Sequence, residues 1–358
     1  MTYSKWLAAV LLAFVSVSAL LVGVNYGVDP MQQYRITTFY PLYFPPEKER
    51  YLNAGLAKNY RYDGILLGTS HTANIFVSDV EKRLRFGRTV KLCQSGGTGK
   101  ELAVTLQTAI RHNQELKHVL WGLDPLSFAG SLSRERQEQS GTFPTYLYDD
   151  DIYNDYRYLY SVETLLSSAE ALLDPIIKPA DDPWFHVDTM YQWQHESRKS
   201  FKVEHVLKSY ANWGKEYGGT SRETYAFATL KASFDHHFLK VLESNPQIEF
   251  IIFFPPYSML YFKALEENGM LDDVNEFKRY IVDSLRGLPN VMLYDFQIAE
   301  GVTSDLSRYK DATHYHQKVS SWMIEQISEG RYRVSEETIE GNIRMLKAQV
   351  AGYAVPDL

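Results

Sequence analysis

Short apolar runs recur along the chain and are separated by longer stretches with helical spacing. A continuous apolar run that ends at a turn residue is typical of a strand covered on both faces of a sheet. Such runs predict five strands, namely Ile65–Leu67, Thr89–Cys93, His118–Leu123, Ile248–Phe254 and Val291–Asp295. Because helical patterns alternate with these runs, the sequence predicts an α/β fold with a parallel, doubly wound sheet.

Capping patterns and apolar spacing predict the helices between the strands. Ser78-x-x-Glu81 is a capping box for a helix that continues through Leu84, and Thr98-x-x-Glu101 is a second one. Apolar residues three or four positions apart mark the inward faces of three helices. These faces are Leu102, Leu106, Ala109 and Ile110, then Val274, Phe277, Ile281 and Leu285, and finally Val319, Trp322, Met323 and Ile327.

The amino terminus carries a long apolar segment. No charged residue lies between Leu7 and Val24, while Lys5 precedes the run and Asp29 is the first charge after it. This length is sufficient to cross a bilayer, so the segment is either a signal peptide or an uncleaved anchor. The anchor is favoured because the apolar run continues past the small residues Val17–Ala19. Lys5 would keep the short amino end in the cytoplasm and place the rest of the chain on the far side.

These patterns divide the chain into an anchor or signal peptide at 1–28, a lead-in at 29–59, a sheet-forming domain at 60–330 and a C-terminal helix and tail at 331–358. The lead-in is predicted to be irregular, with the mixed charges of Glu47–Arg50 in a solvated turn.

An insertion over residues 130–235, with approximate bounds, interrupts the strand pattern and is predicted to cap the carboxyl edge of the sheet. Its aromatic side chains either stack on sugar rings or acyl chains at a site, or pack on the sheet. They are Tyr146, Tyr148, Tyr153, Tyr156, Tyr158, Tyr160, Trp184, Trp193 and Trp213.

Composition narrows the function classes. The formal net charge is -7 and the chain has no block of basic residues, which argues against nucleic acid as a partner. The single cysteine, Cys93, excludes an internal disulfide. His314, His316 and the pair His236-His237 have no further ligands at a recognisable metal-binding spacing, so we expect neither a metal nor a cofactor.

The candidate chemistry lies at the ends of the first and last predicted strands. Ser70 follows the first strand in a Gly68-Thr69-Ser70 turn, and Asp311-x-x-His314 follows the last strand. Parallel strands bring both segments to one sheet edge, where ligands bind in open α/β folds. A serine needs a base and the base needs an orienting carboxylate. We therefore predict Ser70 as nucleophile, His314 as base and Asp311 as its partner, with His71 pointing away.

The chain resembles the SGNH (GDSL-like) hydrolases in four short blocks: Gly68-Thr69-Ser70, Gly96-Gly97, Asp311-x-x-His314, and Asp29-Pro30 after the anchor. The chain is similar specifically to the membrane-anchored branch that acylates bacterial cell-surface polysaccharides, which includes the alginate acetylation proteins and the D-alanine transfer protein of teichoic acid synthesis. The resemblance implies a flavodoxin-like, three-layer catalytic domain over 60–330. It also implies an oxyanion hole formed by the backbone amides of Ser70 and of Gly96 or Gly97.

Two positions depart from the family pattern. Thr69 replaces an aspartate that many members have before the serine, and Asp124 stands where an asparagine normally donates to the oxyanion. An ionised Asp124 would repel a developing negative charge. Either another side chain near the glycine block donates instead, or Asp124 is structural, or activity is weak. The side chains that could replace the donor are Gln94, Ser95 and Thr98, and the candidates for a contact with an acceptor or the oxyanion are Gln94 and Asp124.

The resemblance implies an acyltransferase that carries an acyl group, expected to be acetyl, on Ser70 to a hydroxyl of an extracytoplasmic polysaccharide. It further implies a membrane-bound O-acyltransferase as acyl supplier, and a single-pass location in the bacterial inner membrane with a periplasmic or extracytoplasmic catalytic domain. Two alternatives remain open at the level of sequence. One is a carbohydrate esterase that uses the same residues with water as acceptor, and the other is a catalytically silent glycan-binding scaffold.

Overall fold

The structure is a computed structural model that describes residues 2–137, 142–194, 201–213 and 221–356. Within these residues five strands form one sheet: β1 (Gly64–Leu67), β2 (Thr89–Lys91), β3 (His118–Gly122), β4 (Glu249–Phe254) and β5 (Val291–Asp295). All four neighbouring pairs run parallel, and the order across the sheet is β2-β1-β3-β4-β5. The predicted α/β class and the parallel sheet are thereby confirmed.

Helices surround this sheet and precede it. Before β4 the helices are α1 (Tyr3–Val28), α2 (Glu49–Asn59), α3 (Ser70–Ala73), α4 (Val77–Leu84), α5 (Gly99–His112), α6 (Pro125–Phe128), α7 (Tyr156–Leu159), α8 (Val162–Ile177), α9 (Val203–Ala211), α10 (Phe227–Phe234) and α11 (Lys240–Glu243), with a π-helical turn at Asp235–Leu239. After β4 they are α12 (Met259–Glu267), α13 (Leu271–Leu285), α14 (Glu300–Thr303), α15 (Gln317–Ser328) and α16 (Glu336–Gly352).

The order of the strands fixes the faces on which these helices lie. The chain moves outward from β1 to β2 and then returns past β1 to β3, so right-handed crossovers place α4 and α5 on opposite faces of the sheet. Helix α4 packs against α15, whereas α5 packs against α2 and the π-helical turn. The strands between these layers are almost entirely buried, which explains their continuous apolar sequences.

The two predicted capping boxes have different outcomes. At α5, Thr98 Oγ1 accepts from the Glu101 amide and the Glu101 carboxylate accepts from the Thr98 amide, as predicted. Helix α4 forms over Val77–Leu84, but its capping box does not. Ser78 donates to Asp188 of the insertion, and Glu81 accepts the amide of Thr89 at the start of β2. Tertiary partners therefore take the side chains that the local pattern assigns to the cap.

The lead-in is not irregular throughout. Helix α2 occupies its second half, and the Glu49 and Arg50 side chains, predicted to be in a solvated turn, are 2 % and 3 % exposed. Long charged side chains are rarely buried unless they are paired. Here Arg50 pairs with both Glu49 and Glu101, at 3.3 Å and 3.5 Å.

Helix α1 is long and apolar enough to cross a membrane, with a mean hydropathy of 2.7, and its most apolar part lies outside the protein core. Its last turns are nevertheless fixed to the domain. The Asn25 amide nitrogen donates to the carbonyls of Leu159 and Ser161, both at 2.9 Å, and the Asp29 carboxylate accepts the Tyr158 hydroxyl at 2.9 Å. The helix therefore joins the domain through buried polar contacts.

The insertion divides into two parts with different neighbours. Helices α7 and α8 pack against α1; Tyr156 and Tyr158 of the predicted aromatic set lie in α7, and Tyr160 lies between the two helices. The later part brings Trp193 and Trp213 to the carboxyl edge of the sheet. Arg136, near the start of the insertion, also lines the cavity at this edge, so helices α7 and α8 are the part of the segment that does not cap it.

Candidate active site

The turn after β1 presents Ser70 at the carboxyl edge of the sheet. Gly68 has a φ of 142°, and a Cβ there would lie 2.3 Å from the Thr72 hydroxyl and 2.9 Å from the Gly122 carbonyl oxygen. Only glycine fits such a conformation and such a close approach. The Thr69 side chain accepts from the His71 amide and caps the short helix α3, which begins with Ser70.

Three side chains form a continuous hydrogen-bonded chain at this edge. Ser70 Oγ lies 2.8 Å from His314 Nε2, and His314 Nδ1 lies 2.8 Å from Asp311 Oδ2. Asp311 and His314 lie in the loop between the 3₁₀-helical turn Leu306–Arg308 and α15. Ser70 is 244 positions away from His314 in the chain. With the Nδ1 proton held by the carboxylate, Nε2 is left to accept the serine proton.

Asp311 is held ionised by its surroundings. Burial by itself would raise the pKa of its carboxyl group, but the charge and hydrogen bond of His314 and the amides of His314 and Thr313 outweigh it and lower the pKa well below the usual range. The two amides donate to Oδ1 at 2.8 Å and 2.9 Å. These bonds also fix the loop, so the carboxylate and the imidazole keep one mutual orientation.

The backbone amides predicted to form the oxyanion hole differ in whether they already donate a hydrogen bond within the protein. Ser70 and Gly96 both line one cavity, and in the described residues neither amide donates to a protein acceptor. The Gly97 amide instead donates to the Gln94 carbonyl at 2.9 Å, which closes a turn. Gly97 is therefore not available as an oxyanion donor, and the arrangement favours Ser70 and Gly96.

Charged side chains hold the Gly96 loop from two sides. Glu49 accepts the amide of Ser95, while Arg50 and Arg136 both donate to the Ser95 carbonyl. Gly96 has a φ of 57°, and a Cβ at this position would lie 2.5 Å from Arg136 Nη1. The left-handed backbone favours glycine at this position, whereas the contact with Arg136 involves the end of a flexible side chain that can move aside.

Two of the side chains proposed as replacement donors point elsewhere. Gln94 is fully buried and its amide nitrogen donates to Thr105 at 2.6 Å in the core, so the structure does not bring this side chain to the cavity beside Ser70. Thr98 is used as the α5 cap. The Ser95 hydroxyl, which lines the cavity, lies 3.3 Å from the Glu49 carboxylate.

Asp124 belongs to a second aspartate–histidine pair that the sequence reasoning missed. Its Oδ2 lies 3.1 Å from His71 Nδ1 and 3.2 Å from the Thr69 hydroxyl, and its Oδ1 accepts the Leu126 amide as the cap of α6. The His71 ring does not point away from the site. It stacks on His314, with 4.7 Å between ring centroids and 20° between planes.

The second pair consists of an ionised aspartate and a neutral histidine. Burial lowers the pKa of His71, with the neighbouring His314 acting in the same direction. Burial also acts to raise the pKa of Asp124, but the hydrogen bond and charge of His71 outweigh it and the pKa is lowered. The Tyr257 hydroxyl lies beside the carboxylate and contributes to this, without completing a hydrogen bond of ordinary geometry.

Lys91 on β2 contacts the end of the short helix that begins with Ser70. Its ammonium group is fully buried and donates to the carbonyls of Ala73, at the end of α3, and Met190 of the insertion. Burial lowers the pKa of this lysine to about 7. A buried cation at the carboxyl end of a helical turn is a favourable arrangement, and no periodic pattern in the sequence signals it.

A cavity of about 400 Å³ opens beside Ser70 and His314, and we call it the Ser70 cavity. Aromatic side chains form much of its wall, namely Trp193, Trp213, Tyr225, Tyr257 and Tyr261. Trp193 lies edge-on to His314 at 5.2 Å, and its indole nitrogen donates to the Ser70 carbonyl at 2.9 Å. The basic side chains of Arg136 and Lys310 also line the cavity.

No group of three or more side chains suited to hold a metal ion occurs among the described residues. Neither a family model nor a curated protein matches the chain.

Proposed function

We propose that this protein is a membrane-anchored SGNH-type acyltransferase that forms an acyl-enzyme at Ser70. The observation that carries the proposal is the Ser70–His314–Asp311 chain, with successive hydrogen-bonded distances of 2.8 Å and 2.8 Å, at the mouth of the Ser70 cavity. The order of the strands supports it, because β2-β1-β3-β4-β5 is the order of flavodoxin-like doubly wound sheets.

In the first half-reaction the Ser70 hydroxyl attacks the carbonyl carbon of an acyl donor while its proton moves to His314 Nε2. Asp311 stabilises the imidazolium that forms. The amides of Ser70 and Gly96 stabilise the negative charge on the carbonyl oxygen. The leaving group then departs with the proton from His314, and the acyl group stays on Ser70 as an ester.

In the second half-reaction a hydroxyl of the acceptor gives its proton to His314 and attacks the acyl-serine. The intermediate collapses, His314 returns the proton to Ser70, and the acylated acceptor leaves. The aromatic wall of the cavity suits a carbohydrate acceptor, since tryptophan and tyrosine faces cover the apolar faces of sugar rings. The proposed acceptor is an extracytoplasmic polysaccharide and the proposed acyl group is acetyl.

Helix α1 supports a location in the bacterial inner membrane with the catalytic domain on the periplasmic or extracytoplasmic side. A membrane-bound O-acyltransferase is the proposed acyl supplier. Such a partner would pass the acyl group across the bilayer to a soluble site that stays close to the membrane.

The test begins with the full chain in detergent micelles and 4-nitrophenyl acetate as acyl donor. We expect one acetyl group on the peptide that contains Ser70, detected by mass spectrometry, and no adduct in Ser70→Ala. Ser95→Ala is the matched control, because it removes a second hydroxyl from the same cavity and should leave the adduct in place. Circular dichroism of each variant verifies that it is folded.

The acetylated protein is then given water alone, cellotetraose as a neutral acceptor, or an oligomannuronate as an acidic one. Faster discharge by an oligosaccharide, with acetyl recovered on the sugar, supports the transferase. Rapid discharge by water, with no effect of sugar, would favour the esterase alternative. A folded chain that forms no adduct, or an adduct that persists in Ser70→Ala, would favour the silent scaffold and overturn the proposal.

A further inference from the structure

Exposed apolar side chains are concentrated in one part of the insertion. Between Ile152 and Ile177 ten large apolar residues are exposed, including Tyr153 at 87 % and Ile176 at 78 %. In the rest of the described chain, helix α1 apart, only five isolated ones are comparably exposed. Large contiguous apolar surfaces on soluble proteins are rare and mark sites of interaction. We call this surface the insertion face.

Helix α8 gives the insertion face a regular geometry. Val162, Leu166, Leu173 and Ile176 are spaced so that they lie along one side of the helix, and all four are exposed. The opposite side, with Thr164 and Ser168, is buried. No lysine or arginine occurs from Val162 to Ile177. The apolar side of α8 therefore has no partner within the described chain and no basic fringe for binding an acidic surface.

The insertion face is continuous with helix α1. Helices α7 and α8 both pack against α1. Asn25 of α1 donates to the carbonyls of Leu159 and Ser161, and Ser168 of α8 donates back to Asn25 at 3.4 Å. Further along α1, the Ser18 hydroxyl lies 3.1 Å from the Tyr160 hydroxyl.

These contacts set the depth of the insertion face relative to a membrane. Trp6 and Tyr26 are exposed near the two ends of α1 and are about 30 Å apart along its axis, which is the thickness of the hydrocarbon layer. Aromatic side chains favour the two membrane interfaces. Ser18 then lies about 12 Å inside the boundary marked by Tyr26. The Tyr160 hydroxyl, which contacts Ser18, would lie at that depth, while the contacts of Asn25 with Leu159, Ser161 and Ser168 place the first turns of α8 at the boundary itself.

We propose that the insertion face is embedded in the half of the bilayer nearest the catalytic domain, beside helix α1. This inference rests on the membrane span of α1 in the proposed function, but not on the acyl transfer. Helix α8 would lie as an amphipathic element at the interface, with apolar contact rather than lipid charge holding it there. Together with the buried contacts of Asn25, it would fix the orientation of the Ser70 cavity above the membrane.

Single cysteine variants of the full chain in phosphatidylcholine nanodiscs test this inference. The native Cys93 is fully buried, so a thiol-reactive NBD fluorophore can be directed to an introduced site. Labels are placed at Leu166→Cys and Leu173→Cys on the insertion face. Met345→Cys is the matched control, because Met345 on α16 is an exposed apolar residue that lies outside the insertion face. Leu12→Cys reports on α1 itself.

We expect lipids with a spin label on the acyl chain to quench the labels at Leu166 and Leu173 at least threefold more than the label at Met345. Aqueous iodide should give the reverse order. If the labels at Leu166 and Leu173 behave like the one at Met345 while Leu12 is quenched by lipid, α1 spans but the insertion face is in water, and the inference fails. Shielding from both quenchers would mean that protein covers the face, which also overturns it. An unquenched Leu12 label would reject the membrane span itself, leaving the acetylation test of Ser70 unaffected.

Discussion

Two aspartate–histidine pairs stand side by side at the carboxyl edge of the sheet, and their surroundings give them different roles. In the Asp311–His314 pair the side chains are 20 % and 26 % exposed and the free ring nitrogen faces Ser70. In the Asp124–His71 pair the side chains are 5 % and 8 % exposed, and His71 Nε2 has no hydrogen-bond partner among the residues that the structure describes. The same residue types thus form a pair that reaches Ser70 and a more deeply buried pair that does not, although His71 and Asp124 also line the Ser70 cavity. Contact with Ser70, rather than the presence of the pair, distinguishes His314 as the proposed base.

The largest expected effect distinguishes the two histidines by rate. His314→Ala removes the proton acceptor for Ser70, and acetylation by 4-nitrophenyl acetate should fall about 10⁴-fold or more. His71→Asn keeps a nitrogen donor for Asp124 and loses only the ring stacked on His314, so we expect a decrease of less than about 100-fold. Burst-phase kinetics measure both. Equal losses in the two variants would mean that both rings take part in proton transfer.

The two aspartates should differ in what their loss impairs. Asp311→Asn should lower the acetylation rate about 10⁴-fold, because an amide favours the wrong histidine tautomer, and should change stability little. Asp124→Ala leaves His71 Nδ1 and the Thr69 hydroxyl without their acceptor and removes the cap of α6. It should destabilise the fold by about 3 kcal/mol.

Thermal unfolding in detergent, followed by circular dichroism, measures the second effect beside the rate assay. An Asp124→Ala protein with unchanged unfolding and a rate as low as that of Asp311→Asn would contradict the structural role.

The buried Asp124–His71 pair should also affect how the stability of the fold depends on pH. The pKa of His71 is lowered in the folded state, so the unfolded chain binds the additional proton first as the pH falls below about 6.5. Stability from the neutral His71 is therefore complete above that pH and is lost as the pH falls toward the folded pKa. In His71→Asn this part of the decline should disappear. Unfolding midpoints between about pH 7 and pH 5 test it, and parallel curves for the two proteins would exclude it.

The smallest expected effect concerns Trp193, which lies beside the Asp311–His314 pair. Trp193 donates to the Ser70 carbonyl at 2.9 Å and lies edge-on to His314. Trp193→Phe keeps the apolar ring but loses this hydrogen bond, so acetylation should slow by about 2- to 10-fold. Trp184→Phe is the matched control, because this tryptophan donates to Gln192 away from the Ser70 cavity. Similar losses in both variants would point to a general effect on packing.

Much of the site was predictable because its residues follow predictable strands. Once β1 and β5 are recognised as parallel, Ser70 and the Asp311–His314 loop must come to the same edge of the sheet. The positions of Gly97 and Gln94 were harder to predict. In the turn after β2 the Gly97 amide donates to the Gln94 carbonyl, and the Gln94 side chain points into the core. Neither choice has a signal in spacing or composition.

His71 shows where local reasoning fails. Adjacent residues on a turn were expected to diverge, which ignores the helical turn that α3 forms from Ser70 onward. That turn brings His71 beneath His314, where Asp124 from the end of β3 supplies the counter-ion. Asp124, which follows β3, lies 53 positions after His71 in the chain. Only the completed sheet therefore brings the two residues together.

The sequence by itself determined the strands, the parallel α/β class, the apolar first helix and the segments from which the candidate triad comes, because periodicity and turn residues act over a few positions. The tertiary structure decided which amide faces the Ser70 cavity, that Glu49 and Arg50 are buried around Ser95, and that a second aspartate–histidine pair lies under the first. These features depend on contacts between residues far apart in the chain. Their free energies come from desolvation and pairing in a shared interior, which no local pattern encodes.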